Sequence, residues 1–177
     1  MKRIITLFSF IFVSTLMLAQ KGPAGIRSEL TTVEVDDKEY TLYTYKDKDE
    51  EGTFGYYLGL GMPDRLSSLK LRALITETSI YLGKTSEEAM ATLDSIIAMF
   101  DKAPGETAEY MARTSKGETL KDTAMSTCTV EKKMIGKRLV FSFQHSSYTT
   151  ETYLLKGAAK AIVLGFKGYL KLHPSAS

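Results

Sequence analysis

The chain is poor in the residues from which disulfides and metal sites are built. It contains a single cysteine, Cys128, and two histidines, His145 and His173. One cysteine excludes an internal disulfide, so the fold is expected to rest mainly on burial of apolar surface. One cysteine and two histidines, scattered in this way, match no metal-ligand spacing, and we expect no bound cofactor.

An excess of positive charge is also missing. The sequence has 23 Lys and Arg against 21 Asp and Glu, but Lys2 and Arg3 belong to an N-terminal segment without acidic residues. The rest of the chain is therefore formally neutral. A protein that binds nucleic acid normally presents net positive charge to the phosphates, so nucleic acid is not expected as a partner.

The N-terminus has the layout of a secretory signal. Two basic residues precede an apolar run over residues 4–18, and Ala19 supplies the small residue expected near a cleavage position. The run is shorter than the about 20 residues of a relaxed bilayer crossing, and no stop-transfer pattern follows it. We expect residues 1–20 to be a cleaved signal peptide, an uncleaved membrane anchor being the alternative. The mature chain would then have no transmembrane segment and would be periplasmic or secreted.

Residues 21–177 suit one domain with a sizeable core. After a loose N-terminal stretch, segments rich in β-branched and aromatic residues predict strands. They lie at residues 30–35, 40–45, 54–60, 107–113, 126–135, 138–145 and 148–154. Residues 69–82 suit one bent strand, or a short helical turn followed by a strand. Residues 115–123 are mostly polar and are predicted as a long connection.

Two helices are predicted, over about residues 85–102 and 156–172. At the start of the first, Thr85 and Glu88 have capping-box spacing. Its apolar face is predicted to contain Met90, Leu93, Ile97 and Phe100. In the second helix, a stripe of glycine and alanine would allow a close approach to a sheet.

The order of elements predicts the fold class. Several turns between the strands are short enough for hairpins, which means antiparallel pairing. We therefore predict an α+β domain, with an antiparallel sheet of about 6–8 strands and the two helices packed on it.

One hairpin brings two reactive side chains together. Ile135-Gly136-Lys137-Arg138 suits a two-residue turn, and this register sets Cys128 opposite His145. A thiol beside an imidazole can be deprotonated into a nucleophile. The neighbouring side chains on that face are mostly apolar, however, and no Asn or Asp is placed to orient the imidazole. Cys128 and His145 are thus candidate catalytic residues, with buried packing as the alternative.

Tyrosines are concentrated in one part of the sequence. Five of the ten lie between residues 40 and 57. Aromatic faces with polar tips suit binding surfaces, although such residues are also ordinary in strands. Candidate ligand-contacting residues are Tyr43, Tyr45, Tyr56 and Tyr57.

Two partial motifs match known ligand-binding loops. Asp47, Asp49 and Glu51 match the opening of a calcium loop, but Leu58 stands where its bidentate glutamate belongs. A polar hairpin tip explains them equally well. Gly83-Lys84-Thr85 matches the end of a phosphate-binding loop, but Thr78 replaces the first glycine of that motif.

These observations favour a small exported, non-enzymatic domain that binds a partner protein or a small ligand. Two alternatives remain from other classes of protein. The first is a thiol-dependent hydrolase or other enzyme that uses Cys128 and His145. The second is a structural component of the cell envelope. Neither the Gly-x-Ser-x-Gly nor the His-Glu-x-x-His pattern occurs in the sequence.

Overall fold

The computed structural model describes residues 21–22, 25–47, 54–61, 77–116, 119–144 and 149–174. Nine strands and two helices occur among these residues. The strands are β1 (Lys21–Gly22), β2 (Gly25–Val35), β3 (Lys38–Asp47), β4 (Phe54–Gly59), β5 (Glu77–Gly83), β6 (Thr107–Lys116), β7 (Thr119–Lys132), β8 (Lys137–Gln144) and β9 (Thr149–Leu155). The helices are α1 (Ser86–Met99), between β5 and β6, and α2 (Lys156–Leu172), directly after β9.

All strands belong to one antiparallel sheet, in which each strand pairs with its neighbours in the sequence. The sheet is curled, and a contact between distant strands shows this. Lys38 Nζ on β3 donates a hydrogen bond to Thr152 Oγ1 on β9 at 2.6 Å. Five other strands lie between these two in the sheet order. The α+β class and the antiparallel sheet are confirmed. The two-residue β1, predicted as a loose end, adds a ninth strand to the eight longer ones.

Asp36 and Asp37 form the tight turn between β2 and β3. Val35 pairs with Lys38, so only these two residues connect the strands. Both adopt left-handed backbone conformations, with φ of 54° and 59°. A two-residue turn of this kind matches the twist of the flanking strands, and Asp tolerates the conformation better than most residues.

The two faces of the sheet bury different residues. We call the side that carries Leu42, Leu58, Ile80, Cys128 and Phe141 the inner face, and the opposite side the outer face. The largest core cluster includes these five side chains together with Leu93 and Ile96 of α1 and Ile162 and Phe166 of α2. Away from the register shifts in β2, β4 and β6, successive side chains along each strand alternate between the two faces.

Helix α1 begins at the predicted cap. Thr85 Oγ1 accepts a hydrogen bond from the backbone N–H of Glu88 at 3.2 Å. The Glu88 carboxylate accepts from the N–H of Lys84 at 2.6 Å, one residue before the position expected in a capping box. One backbone donor that the helix leaves open and the N–H of the residue before the cap are thereby satisfied.

The buried stripe of α1 is rotated from the predicted one. Leu93 and Phe100 are buried as predicted, but Met90 and Ile97 are only partly buried. Ala89 and Ile96 are fully buried instead. The helix also ends at Met99, three residues before the predicted end, which leaves Phe100 as its C-terminal cap.

The predicted long connection over residues 115–123 is wrong. Strand β6 continues to Lys116 and β7 already begins at Thr119, with Lys116 paired to Thr119. Ladder hydrogen bonds are made by the backbone, so a polar sequence does not prevent pairing. Part of another predicted strand, residues 69–76, lies outside the described residues.

Helix α2 has the predicted bounds and approaches β2 at one glycine. A Cβ built at Gly165 would collide with Thr31 Oγ1. At Gly157 and Gly168 a Cβ would meet no atom within 4 Å. Only Gly165, of these three glycines, is therefore needed for close contact between helix and strand.

Two glycine substitutions in α2 should change stability in opposite directions. Gly165→Ala should lower the free energy of unfolding by about 1–3 kcal/mol, because the new methyl group overpacks against Thr31. Gly168→Ala should raise it by up to about 1 kcal/mol, because alanine has the higher helix propensity. Denaturant unfolding measures both, and equal stabilisation by the two substitutions would show that the close approach does not exist.

Candidate functional site

Cys128 lies on the inner face, between Ala108 of β6 and Phe141 of β8. The predicted register, which paired it with His145, is wrong, and His145 itself lies outside the described residues. Lys132 pairs with Lys137, and the turn contains four residues rather than two. The Lys133 N–H closes it by donating to the Gly136 carbonyl at 3.0 Å.

The observed register brings opposite charges together at the base of the turn. It sets Glu131 opposite Arg138, whose guanidinium Nη2 lies 2.8 Å from the Glu131 carboxylate. The predicted register would have set Arg138 opposite Ile135, which has no charge to pair with the guanidinium. Cross-strand ion pairs favour the pairing that brings them together. Gly136 has φ of 83°, which a glycine adopts without strain.

The shift between the two registers is four residues, so each side chain keeps its face. Val130, Leu139, Phe141 and Phe143 are all buried on the inner face, as predicted. Met134 is the exception. It lies on the turn and is fully exposed, because the longer turn removes it from the strand.

The chemistry of Cys128 follows from this packing. The side chain is fully buried, and burial raises the pKa of the thiol to about 12. At neutral pH the thiol therefore stays protonated. Reactive cysteines have lowered thiol pKa values and accessible sulfur atoms. The environment of Cys128 is that of a packing residue.

The four candidate tyrosines do not form one surface. Tyr43, Tyr45 and Tyr57 lie on the outer face in a second cluster, against which Tyr81 packs; we call these four the tyrosine cluster. Tyr56 points to the inner face, where its ring centroid lies 5.6 Å from that of Phe166. Burial is the main cause that raises the pKa of Tyr56. Adjacent residues of a strand face opposite sides, which separates Tyr56 from Tyr57.

The rings of the tyrosine cluster are held in defined positions. Tyr43 and Tyr57 stack with centroids 5.6 Å apart, and Tyr57 contacts Tyr81 at 5.4 Å. Tyr45 meets Tyr57 edge to face at 6.4 Å. The Tyr43 hydroxyl donates a hydrogen bond to Ser79 Oγ at 2.7 Å. Aromatic contacts of this kind add specific geometry to the burial of apolar area.

Two arginines extend the cluster. The guanidinium carbon of Arg27 lies 3.9 Å from the centroid of Tyr43, and that of Arg113 lies 5.8 Å from the centroid of Tyr57. Both distances allow a cation–π attraction. Burial and the Glu88 carboxylate raise the pKa of Tyr81, while Arg113 acts in the opposite direction. Its phenol therefore stays protonated at neutral pH and can donate a hydrogen bond.

A pair of methionines completes this part of the outer face. Met111 of β6 pairs directly with Met125 of β7, and the two side chains are 44% and 52% exposed. Met111 is two residues from Arg113 on the same strand and so shares its face. We call Arg113, Tyr81, Met111 and Met125, with the tyrosine cluster beside them, the outer band. Tyr43, Tyr45 and Tyr57 are at most 3% exposed, so solvent reaches the band at its other members.

Sequence reasoning missed the arginines and methionines of the outer band. A hairpin centred on Gly117-Glu118 would pair Met111 with Ala124, and the register shift between Arg113 and Ser115 brings Met111 opposite Met125 instead. The polar residues around the turn predict a connection and indicate neither the hairpin nor the shift. Arg27 and Arg113 are separated by long stretches of sequence. Only the order of the strands brings both beside the same tyrosine cluster.

The partial calcium loop is largely outside the described residues. Asp47 is the last residue of β3, whereas Asp49 and Glu51 are not among the described residues. Within the described part of the chain, no group of three or more His, Cys, Asp or Glu is placed to hold a metal ion.

The partial phosphate-binding motif Gly83-Lys84-Thr85 has its backbone donor occupied. The Glu88 carboxylate already accepts from the Lys84 N–H, where a phosphate would need a free donor.

Native Cys128 should react slowly with a thiol reagent and quickly after denaturation, because it is buried and its thiol stays protonated. A matched control places a thiol on the exposed neighbour, as Thr127→Cys in a Cys128→Ala background, which should react quickly without denaturant. The absorbance of the chromophore that the reagent releases on reaction with a thiol gives both rates. Equal rates for native Cys128 and the control would show an accessible nucleophile and favour the enzyme hypothesis.

Comparisons with known proteins assign no family to the chain. No family model matches the sequence, and neither a curated protein nor a solved structure gives a match. None of the described helices is both long enough and apolar enough to cross a bilayer.

Proposed function

We propose that this chain is an exported, non-enzymatic binding protein, and that the outer band binds a partner protein. The observation that supports the proposal most is the exposed methionine pair beside Arg113 and Tyr81. Methionine, tyrosine and arginine are enriched in the cores of protein–protein interfaces. Methionine side chains are also flexible and adapt to the shape of a partner.

A protein fits this surface better than a small ligand does. The rings of Tyr43, Tyr45 and Tyr57 are covered, so a planar ligand could not stack on them without displacing other groups. The accessible groups are spread over three strands, as contacts to another protein surface normally are. The ordered tyrosine cluster beneath them keeps Arg113 and Tyr81 in place, which lowers the entropy lost on binding.

We also propose that the two helices pack together on the inner face and leave the outer band to the partner. Leu93 and Ile96 of α1 share a cluster with Ile162 and Phe166 of α2 and with the inner-face strands. The tyrosine cluster contains only residues of strands. The export part of the proposal rests on the signal-like residues 1–20.

The burial of Cys128, which raises the pKa of its thiol to about 12, argues against the thiol-enzyme alternative. A structural envelope component would use the same exposed surface for contacts between copies of the chain. The two remaining possibilities therefore differ in what is bound at the outer band, which cross-linking in the cell can distinguish.

A photoreactive amino acid at position 125 should give one discrete cross-linked partner in cells that export the protein. The same amino acid at position 164, where Leu164 is an exposed apolar residue of α2, is the matched control and should not capture that partner. Arg113→Glu should reduce the yield at position 125 about tenfold, as expected for an interface arginine.

The exported protein should begin at Gln20 or Lys21, because the signal-like segment is removed during export. Mass spectrometry of the protein recovered after export measures this.

Three results would count against the proposal. Equal capture from positions 125 and 164 would mean that the outer band has no special role. A cross-link to a second copy of the chain would favour the structural component instead. An intact segment over residues 4–18 in the protein recovered from the cell would remove the export part.

A further inference from the structure

The turn between β7 and β8 exposes two adjacent, large apolar side chains. Met134 and Ile135 have exposed fractions of 105% and 93%, so neither contacts the rest of the fold appreciably. Turns usually contain Gly, Asn, Asp or Ser, which adopt the backbone conformations of turns or form hydrogen bonds to the backbone, and which expose little apolar surface to water. Packing in the folded chain does not explain this pair, which we call the apolar tip.

Lysines surround the apolar tip. Lys132 and Lys133 precede it, and Lys137 follows it. Lys137 Nζ donates a hydrogen bond to the carbonyl oxygen of Lys102 at 2.5 Å, which places the residues after α1 at the same end of the molecule. Lys156, the first residue of α2, forms an ion pair with Asp101 at 2.8 Å. The start of α2 therefore belongs to this end as well.

The electrostatics agree with this placement. Lys156 lowers the pKa of Asp101 through its hydrogen bond and its charge, and Lys137 and Lys160 lower it further. We call Lys102, Lys132, Lys133, Lys137, Lys156 and Lys160 the basic end. Among the described acids of this end, Asp101 and Glu131 are already engaged with Lys156 and Arg138. Positive charge is thus concentrated here, in a chain whose mature part is formally neutral.

We propose that the apolar tip and the basic end dock the protein on an anionic lipid surface. Met134 and Ile135 would enter the boundary between head groups and acyl chains, while the lysines contact the head groups. Apolar burial and attraction to anionic lipid are the two contributions that hold proteins at a bilayer interface. A groove on a protein could accept the tip, but it would not need a ring of lysines around it. The combination of the two features at one end favours the bilayer.

This surface is separate from the outer band, so each proposal can fail without the other. The apolar tip belongs to the turn after β7, whereas Met111 and Met125 lie within strands on the outer face. Docking through the tip would hold the protein at a membrane while the outer band binds its partner.

The absence of tryptophan from the sequence provides a direct reporter. A single tryptophan introduced as Met134→Trp should show a blue-shifted emission when the exported protein is mixed with vesicles of phosphatidylcholine and phosphatidylglycerol. Vesicles of phosphatidylcholine alone should give a much smaller shift, and added salt should reverse binding because surface electrostatics are screened.

Cosedimentation with the same vesicles tests which residues are responsible. Met134→Asp combined with Ile135→Asp should lower the partition coefficient about 100-fold, roughly tenfold for each apolar side chain. Lys132→Glu combined with Lys133→Glu should lower it about tenfold or more, and only for vesicles that contain phosphatidylglycerol. The matched control, Met111→Asp with Met125→Asp, also replaces two exposed methionines and should change the coefficient less than about threefold.

The proposal is overturned if the exported protein does not bind these vesicles, or if the tip and control variants bind equally well. Sedimentation velocity without lipid tests whether the tip binds a second copy of the chain instead. If the protein does not bind vesicles but self-associates, and the tip substitutions abolish that self-association, the lipid surface is rejected. All substituted positions named here are exposed or partly exposed, so the variants should fold, and circular dichroism confirms this directly.

Discussion

Strand β7 pairs with β8 so that Glu131 faces Arg138 and a four-residue turn joins them. The ion pair at the base of the turn and the left-handed Gly136 both favour this register. Cys128 then lies between Ala108 and Phe141 in the core, and its thiol is protonated and inaccessible. The same register places Met134 and Ile135 at the end of the hairpin. One pairing thus removes a candidate active site and creates a candidate membrane contact.

The curled sheet uses its two faces differently. The inner face is lined with aliphatic and aromatic side chains, and one buried cluster contains these together with residues of both helices. The outer face contains tyrosines, whose rings are buried while their hydroxyl groups need polar partners such as Ser79. Tyrosine suits this position because it combines a large apolar area with a polar tip. Arginines then extend over the rings, and the exposed methionines lie at the margin of the same surface.

Local signals were predicted well from the sequence, and long-range ones were not. The cap at Thr85 and the bounds of α2 depend on residues within a few positions of each other, and the sequence contains all of them. The β7–β8 register is not determined by neighbouring residues in this way. A shift by four residues preserves the alternation of apolar side chains, so the pattern from Val130 to Phe143 agrees with either turn. The ion pair between Glu131 and Arg138 was the available signal. The division between Tyr56 and Tyr57 follows from alternation alone, but the assembly of Arg27 with Tyr43 and of Arg113 with Tyr57 depends on the strand order.

A designed cross-link tests the β7–β8 register most directly. In a Cys128→Ala background, Thr127→Cys with Ser142→Cys places two thiols on directly paired residues, within the Cα separation that a disulfide spans. The register with a two-residue turn would instead pair Thr127 with Ser146. Mild oxidation of the native protein should therefore close the 127–142 disulfide and leave the thiols of a Thr127→Cys, Ser146→Cys variant free. Closure of the 127–146 disulfide in place of the 127–142 disulfide would contradict the account.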